Sequence, residues 1–136
     1  MKSRIVIGVL IEKNGSYLFG KKKPNTGPYP NTWVMIGGGI RLEEESVEEG
    51  IRRETKEETG LEIKNLKRLS FDEDIEPDKT GVKTHYLFLV YTAEYDKGLE
   101  MPGDDIVELK WIKKSDLKKY QLARPTIKLF KEIGWL

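Results

Sequence analysis

Cysteine is absent from the 136-residue sequence, and histidine occurs once, as His85. Without a thiol the chain has no disulfide, no zinc–thiolate centre and no cysteine nucleophile. The lack of cysteine fits a reducing compartment, so we expect a cytoplasmic protein. With one histidine, a metal site here must be built mainly from oxygen ligands, which favour magnesium or manganese over zinc.

An excess of charge and a long apolar run are also missing. Lysine and arginine number 24 against 23 acidic residues, so the strong positive field of a nucleic-acid binder is absent. We expect no nucleic-acid polymer as a partner, whereas a phosphate-bearing small molecule remains compatible. No run has the length of a membrane span, and the apolar stretch at residues 5–11 lacks a signal-peptide cleavage site, so we expect no membrane partner.

The length and composition predict one globular domain over residues 1–136, with 38% hydrophobic and 35% charged residues. The tight-turn pair Asn14-Gly15 predicts an N-terminal hairpin. Ser115 is expected to cap a short helix, and Pro125 to lie in the first turn of a C-terminal one. Loops are predicted at residues 21–32, 72–78 and 102–105, and further strands around residues 33–36, 62–71, 82–95 and 107–112.

The segment from residue 45 to residue 59 has no proline and many good helix formers, and Gly60 stands where a left-handed terminating residue belongs. On a helical wheel, Ile51, Glu54 and Glu58 share one narrow stripe. Stacked carboxylates on a face that begins as core cost on the order of several kcal/mol unless a cation lies between them. A charged surface helix is the ordinary alternative, and the inward acids weaken it.

Two further features of the sequence, a glycine run before this helix and an arginine within it, also point to a specific arrangement here. The run Gly37-Gly38-Gly39 predicts a close backbone approach, since three successive residues lack side chains. Arg53 precedes Glu57 by four residues, the spacing of a helix-surface ion pair. Its guanidinium could orient a neighbouring glutamate or reach a substrate phosphate, and the sequence does not separate these roles.

Residues 39–61 resemble the Nudix box, the motif of the Nudix (MutT-like) hydrolase family. The motif reads Gly, five residues, Glu, seven residues, Arg-Glu, an aliphatic residue, any residue, Glu-Glu, any residue, Gly and an aliphatic residue. The sequence departs from it at Thr55, where an aliphatic residue is usual, and at Gly50, where alanine is common. The matching positions are Gly39, Glu45, Arg53, Glu54, Glu57, Glu58, Gly60 and Leu61.

The resemblance implies a Nudix-type α/β/α sandwich with a mixed β-sheet. It also implies a magnesium-dependent hydrolase, with manganese as the alternative ion, in which Arg53 orients Glu54 and Glu45 supports the loop and the helix. Family members often form dimers, so a homodimer is a further expectation. By the same resemblance the metal ligands are the Gly39 carbonyl, Glu54, Glu57 and Glu58, and the catalytic set is Arg53, Glu54, Glu57 and Glu58.

The implied reaction is attack of water on phosphorus in a nucleoside diphosphate linked to another group, such as a nucleotide sugar, an ADP-ribose-like compound or a nucleoside triphosphate. The general base stays open among Glu54, Asp104, Asp105 and Glu108, with Glu54 preferred. Several other residues are candidates for binding the substrate. They are Lys21, Lys22, Lys23 and Arg41 for phosphates, Tyr29 and Trp33 for stacking on a base, and His85, Asp104 and Asp105.

Three alternatives accompany this interpretation. A GDP-mannose-type nucleotide-sugar hydrolase would use His85 as its base, but that subgroup typically lacks part of the box, which is complete here. A Nudix-like domain that binds a nucleotide without hydrolysing it would be favoured by loss of a box acid, and none is lost. An interaction module would use the apolar C-terminal residues Ile133, Trp135 and Leu136, and metal titration discriminates it from the enzyme.

Overall fold

The computed structural model describes all 136 residues and consists of one six-stranded sheet with a helix on each face. The sheet is mixed, because β1 pairs with β5 in parallel while the other neighbours are antiparallel. The spatial order is β4-β5-β1-β3-β2-β6. The strands are β1 (Lys2–Lys13), β2 (Ser16–Lys22), β3 (Trp33–Gly39), β4 (Leu61–Pro77), β5 (Lys83–Gly98) and β6 (Ile106–Lys113); the helices are α1 (Val47–Thr59), a 3₁₀ helix (Lys114–Lys119) and α2 (Arg124–Glu132).

Two apolar cores lie on opposite faces of the sheet. On one face Ile51 of α1 packs with Ile7 and Ile36, and on the other Phe130 of α2 packs with Phe19. Alternate side chains of each strand point to opposite faces, so the central strands supply both cores. This arrangement confirms the predicted α/β/α sandwich. No helix in the structure is both long and apolar enough to cross a membrane.

Two of the three predictions for the N-terminal hairpin and the C-terminal helices are confirmed. Asn14 and Gly15 turn β1 into β2 with positive φ angles of 52° and 81°, which confirms the predicted hairpin. Pro125 lies in the first turn of α2, also as predicted. The prediction for Ser115 is wrong, because the 3₁₀ helix begins at Lys114 and has no side-chain cap.

The acidic segment at residues 72–78 is mostly strand, so its prediction as a loop is wrong. β4 continues to Pro77 and stays paired with β5 along this stretch. Its acids are held by cations of α2: Lys128 lies 2.7 Å from Asp72, and Arg124 lies 2.7 Å from Asp74. Turn-forming composition alone did not reveal these partners.

Helix α1 is bounded by strong signals at both ends. Ser46 and Glu49 form a reciprocal capping box, so the helix begins at Val47, two residues later than predicted. Glu45 therefore lies outside the helix. At the other end Gly60 adopts a left-handed conformation with φ of 76°, as predicted, and its N–H donates to the Lys56 carbonyl.

The end of α1 provides a stability test. A Cβ at residue 60 would lie 2.5 Å from the Leu99 carbonyl oxygen, whereas one at Gly15, which has a similar φ, meets nothing within 4 Å. We expect Gly15→Ala to lower the free energy of unfolding by about 1–2 kcal/mol through backbone strain alone. Gly60→Ala should cost a further ~1–3 kcal/mol through overlap with the backbone. Urea denaturation measures both, and equal losses would contradict this account.

Candidate active site

The carboxylates of α1 reach the sheet where β3 has no side chains. The Gly37 N–H donates to Glu58 at 2.9 Å, and a Cβ at Gly38 would lie 2.5 Å from Glu54 Oε2. A side chain at residue 38 would therefore occupy the place of the Glu54 carboxylate. The predicted close approach at the glycine run is confirmed.

Arg53 connects the acids of this region. Its Nε and Nη2 each donate to one Glu45 carboxylate oxygen at 2.8 Å, and its Nη1 donates to Glu54 at 2.9 Å and Glu57 at 3.1 Å. The remaining Nη2 hydrogen goes to the Gly39 carbonyl at 3.2 Å. A guanidinium has five N–H donors. All of them are committed within the protein, so this geometry supports the orienting role rather than contact with a phosphate.

Glu45 anchors this arrangement from outside the helix. The bonds from Arg53, followed by the one from the Arg41 backbone N–H, lower the pKa of Glu45 to about 2. A Cβ at residue 50 would lie 2.8 Å from Glu45 Oε2, which accounts for glycine at a position where alanine is common in the motif. The other departure, Thr55, is buried and donates its hydroxyl to the Ile51 carbonyl at 2.7 Å.

Glu54 and Glu58 are ionisable groups held largely out of water. The Glu58 side chain belongs to a residue only 8% exposed, and burial raises its pKa to about 8 although the Gly37 N–H favours the charged form. Burial likewise raises the pKa of Glu54, against the effect of Arg53. Two buried carboxylates one helical turn apart create a demand for positive charge at this point.

A distant loop brings a further carboxylate to the cluster. The Met101 N–H donates to the Thr59 carbonyl at 2.8 Å, and the Gly103 N–H donates to the Glu58 carbonyl at 3.0 Å. These bonds dock the loop against the end of α1. As a result, carboxylate oxygens of Glu54, Glu57 and Asp104 lie within 4.8 Å of one another. Sequence reasoning considered Asp104 only as a base or a substrate contact, because its distance along the chain hid this proximity.

A cavity of about 230 Å³ adjoins the carboxylates. Glu54, Glu58 and Asp104 line one part of it, and the N-terminal turn of α2 closes another. The walls therefore combine acidic, apolar and basic groups. The apolar and aromatic lining includes Val6, Pro28, Tyr29, Met35, Tyr86 and Phe88, and the basic lining consists of Arg4, Lys22 and Lys79.

Among the three consecutive lysines, Lys22 lines the cavity. Lys22 is 8% exposed, and burial lowers the pKa of its ammonium group. Its Nζ lies 3.7 Å from Asp105, which also binds Lys79 at 2.7 Å. Side chains alternate along β2, so Lys21 points elsewhere, with its ammonium 5.3 Å from the Trp33 ring centroid. Lys23 does not line the cavity either.

The remaining predicted residues are divided between the cavity and other surfaces. Tyr29 lines the cavity, with its hydroxyl donating to Asp74 at 2.7 Å. Trp33 is buried and packs edge-on against Tyr120, and Arg41 borders a separate surface groove. His85 lies outside the cavity with Nε2 2.7 Å from Glu73. Sequence spacing could not predict which of these residues line the cavity, because the order of the strands in the sheet decides which side chains come together.

Comparison with known proteins identifies the family. A NUDIX domain model matches residues 1–133. The chain belongs to the Nudix family. Nucleoside triphosphatase NudI of Klebsiella pneumoniae (strain 342) is 31% identical to this Nudix protein in an alignment that covers 93% of each chain. The protein of the same name from Enterobacter sp. (strain 638) is 28% identical in an alignment that covers 100% of both chains.

Solved structures share the fold of this Nudix protein. A MutT NUDIX hydrolase from Burkholderia pseudomallei superposes with a TM-score of 0.78 at 24% identity, covering 95% of this chain and 97% of its own. The NUDIX domain of Shewanella oneidensis NrtR, solved with ADP ribose, gives a TM-score of 0.76 at 17% identity, with 98% and 88% coverage. At these identities the likeness concerns the fold alone.

The buried carboxylate predicts a pH-dependent stability difference. In the metal-free protein, the free energy of unfolding should fall between pH 4.5 and about 8, because the folded state binds the Glu58 proton more tightly than the unfolded chain. Glu58→Gln removes this titration while keeping an acceptor for the Gly37 N–H. We expect the variant to be more stable than wild type by about 1–4 kcal/mol near pH 9, and the advantage to vanish near pH 4. Urea denaturation with a chelator measures this; an advantage independent of pH would contradict it.

Proposed function

We propose that this protein is a metal-dependent hydrolase that cleaves a diphosphate linkage in nucleotides, with nucleoside triphosphates as its first substrate class. The observation that carries the proposal is the cluster of Glu54, Glu57 and Asp104 oxygens at the wall of a cavity that also has apolar, aromatic and basic lining. The names of the two nucleoside triphosphatase relatives support the substrate class.

The donor set fits a hard divalent cation. Every candidate ligand is an oxygen, and burial disfavours the charged forms of Glu54 and Glu58, so a cation of high charge would stabilise both carboxylates. Mg²⁺ is our first choice and Mn²⁺ the second. Glu54, Glu57 and Asp104 would hold the ion, with Glu58 beside them. When bound, such an ion lowers the pKa of a coordinated water and offsets phosphoryl charge.

The Gly39 carbonyl is the weakest candidate among the proposed metal ligands, since it already accepts a hydrogen bond from Arg53. It keeps a second lone pair, so a ligand role is compatible with that bond. Arg53 instead fixes the orientation of Glu54 and Glu57 by donating to both. The cluster therefore enters the reaction already arranged, which reduces the reorganisation that the chemical step requires.

Glu54 is the best general base among the four acids considered. Its carboxylate lines the cavity and Arg53 fixes its orientation, so it is placed to accept a proton from attacking water. Asp105 is engaged by Lys22 and Lys79, and Glu108 lies exposed on β6 outside the cavity. Asp104 shares the cluster and is the second candidate.

The apolar part of the cavity suits the nucleoside half of the substrate. Tyr29, Met35 and Phe88 offer surfaces for a base or a ribose, while the carboxylate end would take the phosphates with their metal ion. An ADP-ribose-like substrate is the second candidate, supported by the ADP ribose in the Shewanella NUDIX domain. Attack at a sugar carbon with His85 as base is disfavoured, because His85 bonds Glu73 away from the carboxylates.

A substrate panel tests the function directly. We would assay the protein with Mg²⁺ against the nucleoside triphosphates, ADP-ribose, nucleotide sugars and dinucleoside polyphosphates. The expected result is release of pyrophosphate or phosphate from one or more nucleoside triphosphates, with ¹⁸O from labelled water incorporated on phosphorus. Nucleotide binding without turnover of any compound would overturn the proposal in favour of a non-catalytic binding domain.

Charge removal at the cluster should abolish most of the activity. Glu57→Gln and Glu58→Gln each remove one negative charge with little change in volume, so we expect turnover to fall by about 10²–10⁴-fold with the fold retained. Glu48→Gln is the matched control, because Glu48 is exposed on the same helix and makes no ion pair. Steady-state kinetics and thermal melts provide the measurements. Near-normal rates in both variants would refute the assignment.

Displacing Glu54 without changing charge gives an independent test of the metal site. Gly38→Ala introduces a Cβ at 2.5 Å from the Glu54 carboxylate, whereas the same change at Gly8 places a Cβ 3.6 Å from Met35, an ordinary contact. We expect Gly38→Ala to weaken Mn²⁺ binding by about tenfold or more, since ligand geometry governs affinity. Gly8→Ala should leave it unchanged. Electron paramagnetic resonance titration with Mn²⁺ measures both, and equal affinities would count against Glu54 as a ligand.

A further inference from the structure

We infer that Arg4 of β1 is the guanidinium that binds the substrate's phosphates. The inference rests on the proposed function and extends it to a residue outside the Nudix box. Three observations carry it: the position of Arg4 against the glycine run, the absence of an ion-pair partner, and the commitment of the other cations nearby.

Arg4 lies at the carboxylate end of the cavity. The antiparallel register of β1 and β3 pairs Val6 with Gly39, so the start of β1 runs alongside the glycine run. A Cβ at residue 39 would overlap the Arg4 guanidinium, just as a Cβ at Gly38 would overlap the Glu54 carboxylate. Successive strand residues face opposite sides. Arg4 and Glu54 therefore approach β3 from its two faces, and both line the cavity.

Arg4 lines the same cavity as Glu54, Glu58 and Asp104 and forms an ion pair with none of them. No carboxylate oxygen lies within the 4.0 Å limit of a salt bridge from its guanidinium, and its side chain donates no hydrogen bond within the protein. In Arg53, by contrast, all five N–H donors are occupied by acceptors within the protein. The Arg4 donors are therefore available to a ligand.

The other two basic groups of the cavity are partly neutralised. Lys22 and Lys79 share Asp105, and burial disfavours the charged form of Lys22. Arg4 is thus the cavity's one cation without a carboxylate partner. A planar guanidinium donates two parallel hydrogen bonds to phosphate oxygens, which an ammonium cannot do. Arg4 would hold a phosphate opposite the carboxylate cluster, so that the diphosphate spans the end of β3.

The test compares Arg4→Gln and Arg4→Lys with Arg68→Gln. Arg68 is an exposed arginine on β4 that also has no ion pair but lies outside the cavity. The probe is α,β-methylene ATP, titrated calorimetrically in the presence of Mg²⁺, with thermal melts to verify folding. Losing a charge-assisted bidentate contact should raise the Kd of Arg4→Gln by about tenfold to a hundredfold. Arg4→Lys should recover part of this loss, and Arg68→Gln should match wild type.

Two further measurements distinguish the possible failures. Mn²⁺ binding without nucleotide should be the same in Arg4→Gln and wild type, and a change would overturn the inference by assigning Arg4 to the acidic cluster. A nucleotide Kd equal in Arg4→Gln, Arg68→Gln and wild type would also overturn it, as would a wild type that binds no nucleotide. Wild type that binds the analogue but hydrolyses no member of the substrate panel would overturn the proposed reaction alone, and the Kd comparison would still decide the role of Arg4.

Discussion

The candidate active site depends on the contact between two carboxylates of α1 and a strand end that has no side chains. Glu54 lies where a Cβ of Gly38 would be, and Glu58 takes the N–H of Gly37. This approach removes the carboxylates from water and raises the pKa of both. Such an arrangement is unfavourable for an isolated helix, and it persists because the hydrophobic packing around Ile51 holds α1 on the sheet.

Arg53 compensates part of that unfavourable charge without removing the need for a cation. Its five donors are distributed over Glu45, Glu54, Glu57 and the Gly39 carbonyl, so the guanidinium fixes geometry in several directions at once. Glu58 receives none of them. The cluster is therefore ordered but incompletely neutralised, a condition that favours binding of a small, highly charged ion over further rearrangement of side chains.

Local sequence signals predicted the parts of the site that lie within one element. Helical spacing indicated that Glu54 and Glu58 face inward, and the glycine run indicated a close approach, because both features depend on neighbouring residues. Asp104, Lys22 and Arg4 could not be placed in the same way. Their proximity arises from the docking of a loop on α1, from alternation along β2 and from the β1–β3 register, which are properties of the whole sheet. The acids of β4 were misassigned for the same reason, since their cations belong to α2.

Asp74 joins two parts of the molecule that are far apart in sequence. It accepts the Tyr29 hydroxyl from the loop above the cavity and the Arg124 guanidinium from the first turn of α2. One half-buried carboxylate group of β4 thus contacts both the loop that lines the cavity and the C-terminal helix. Local opening of α2 would remove Arg124 both from Asp74 and from the Tyr29 ring, whose centroid lies 5.6 Å from the guanidinium, so the loop that carries Tyr29 would lose part of its support while its bond to β4 remained.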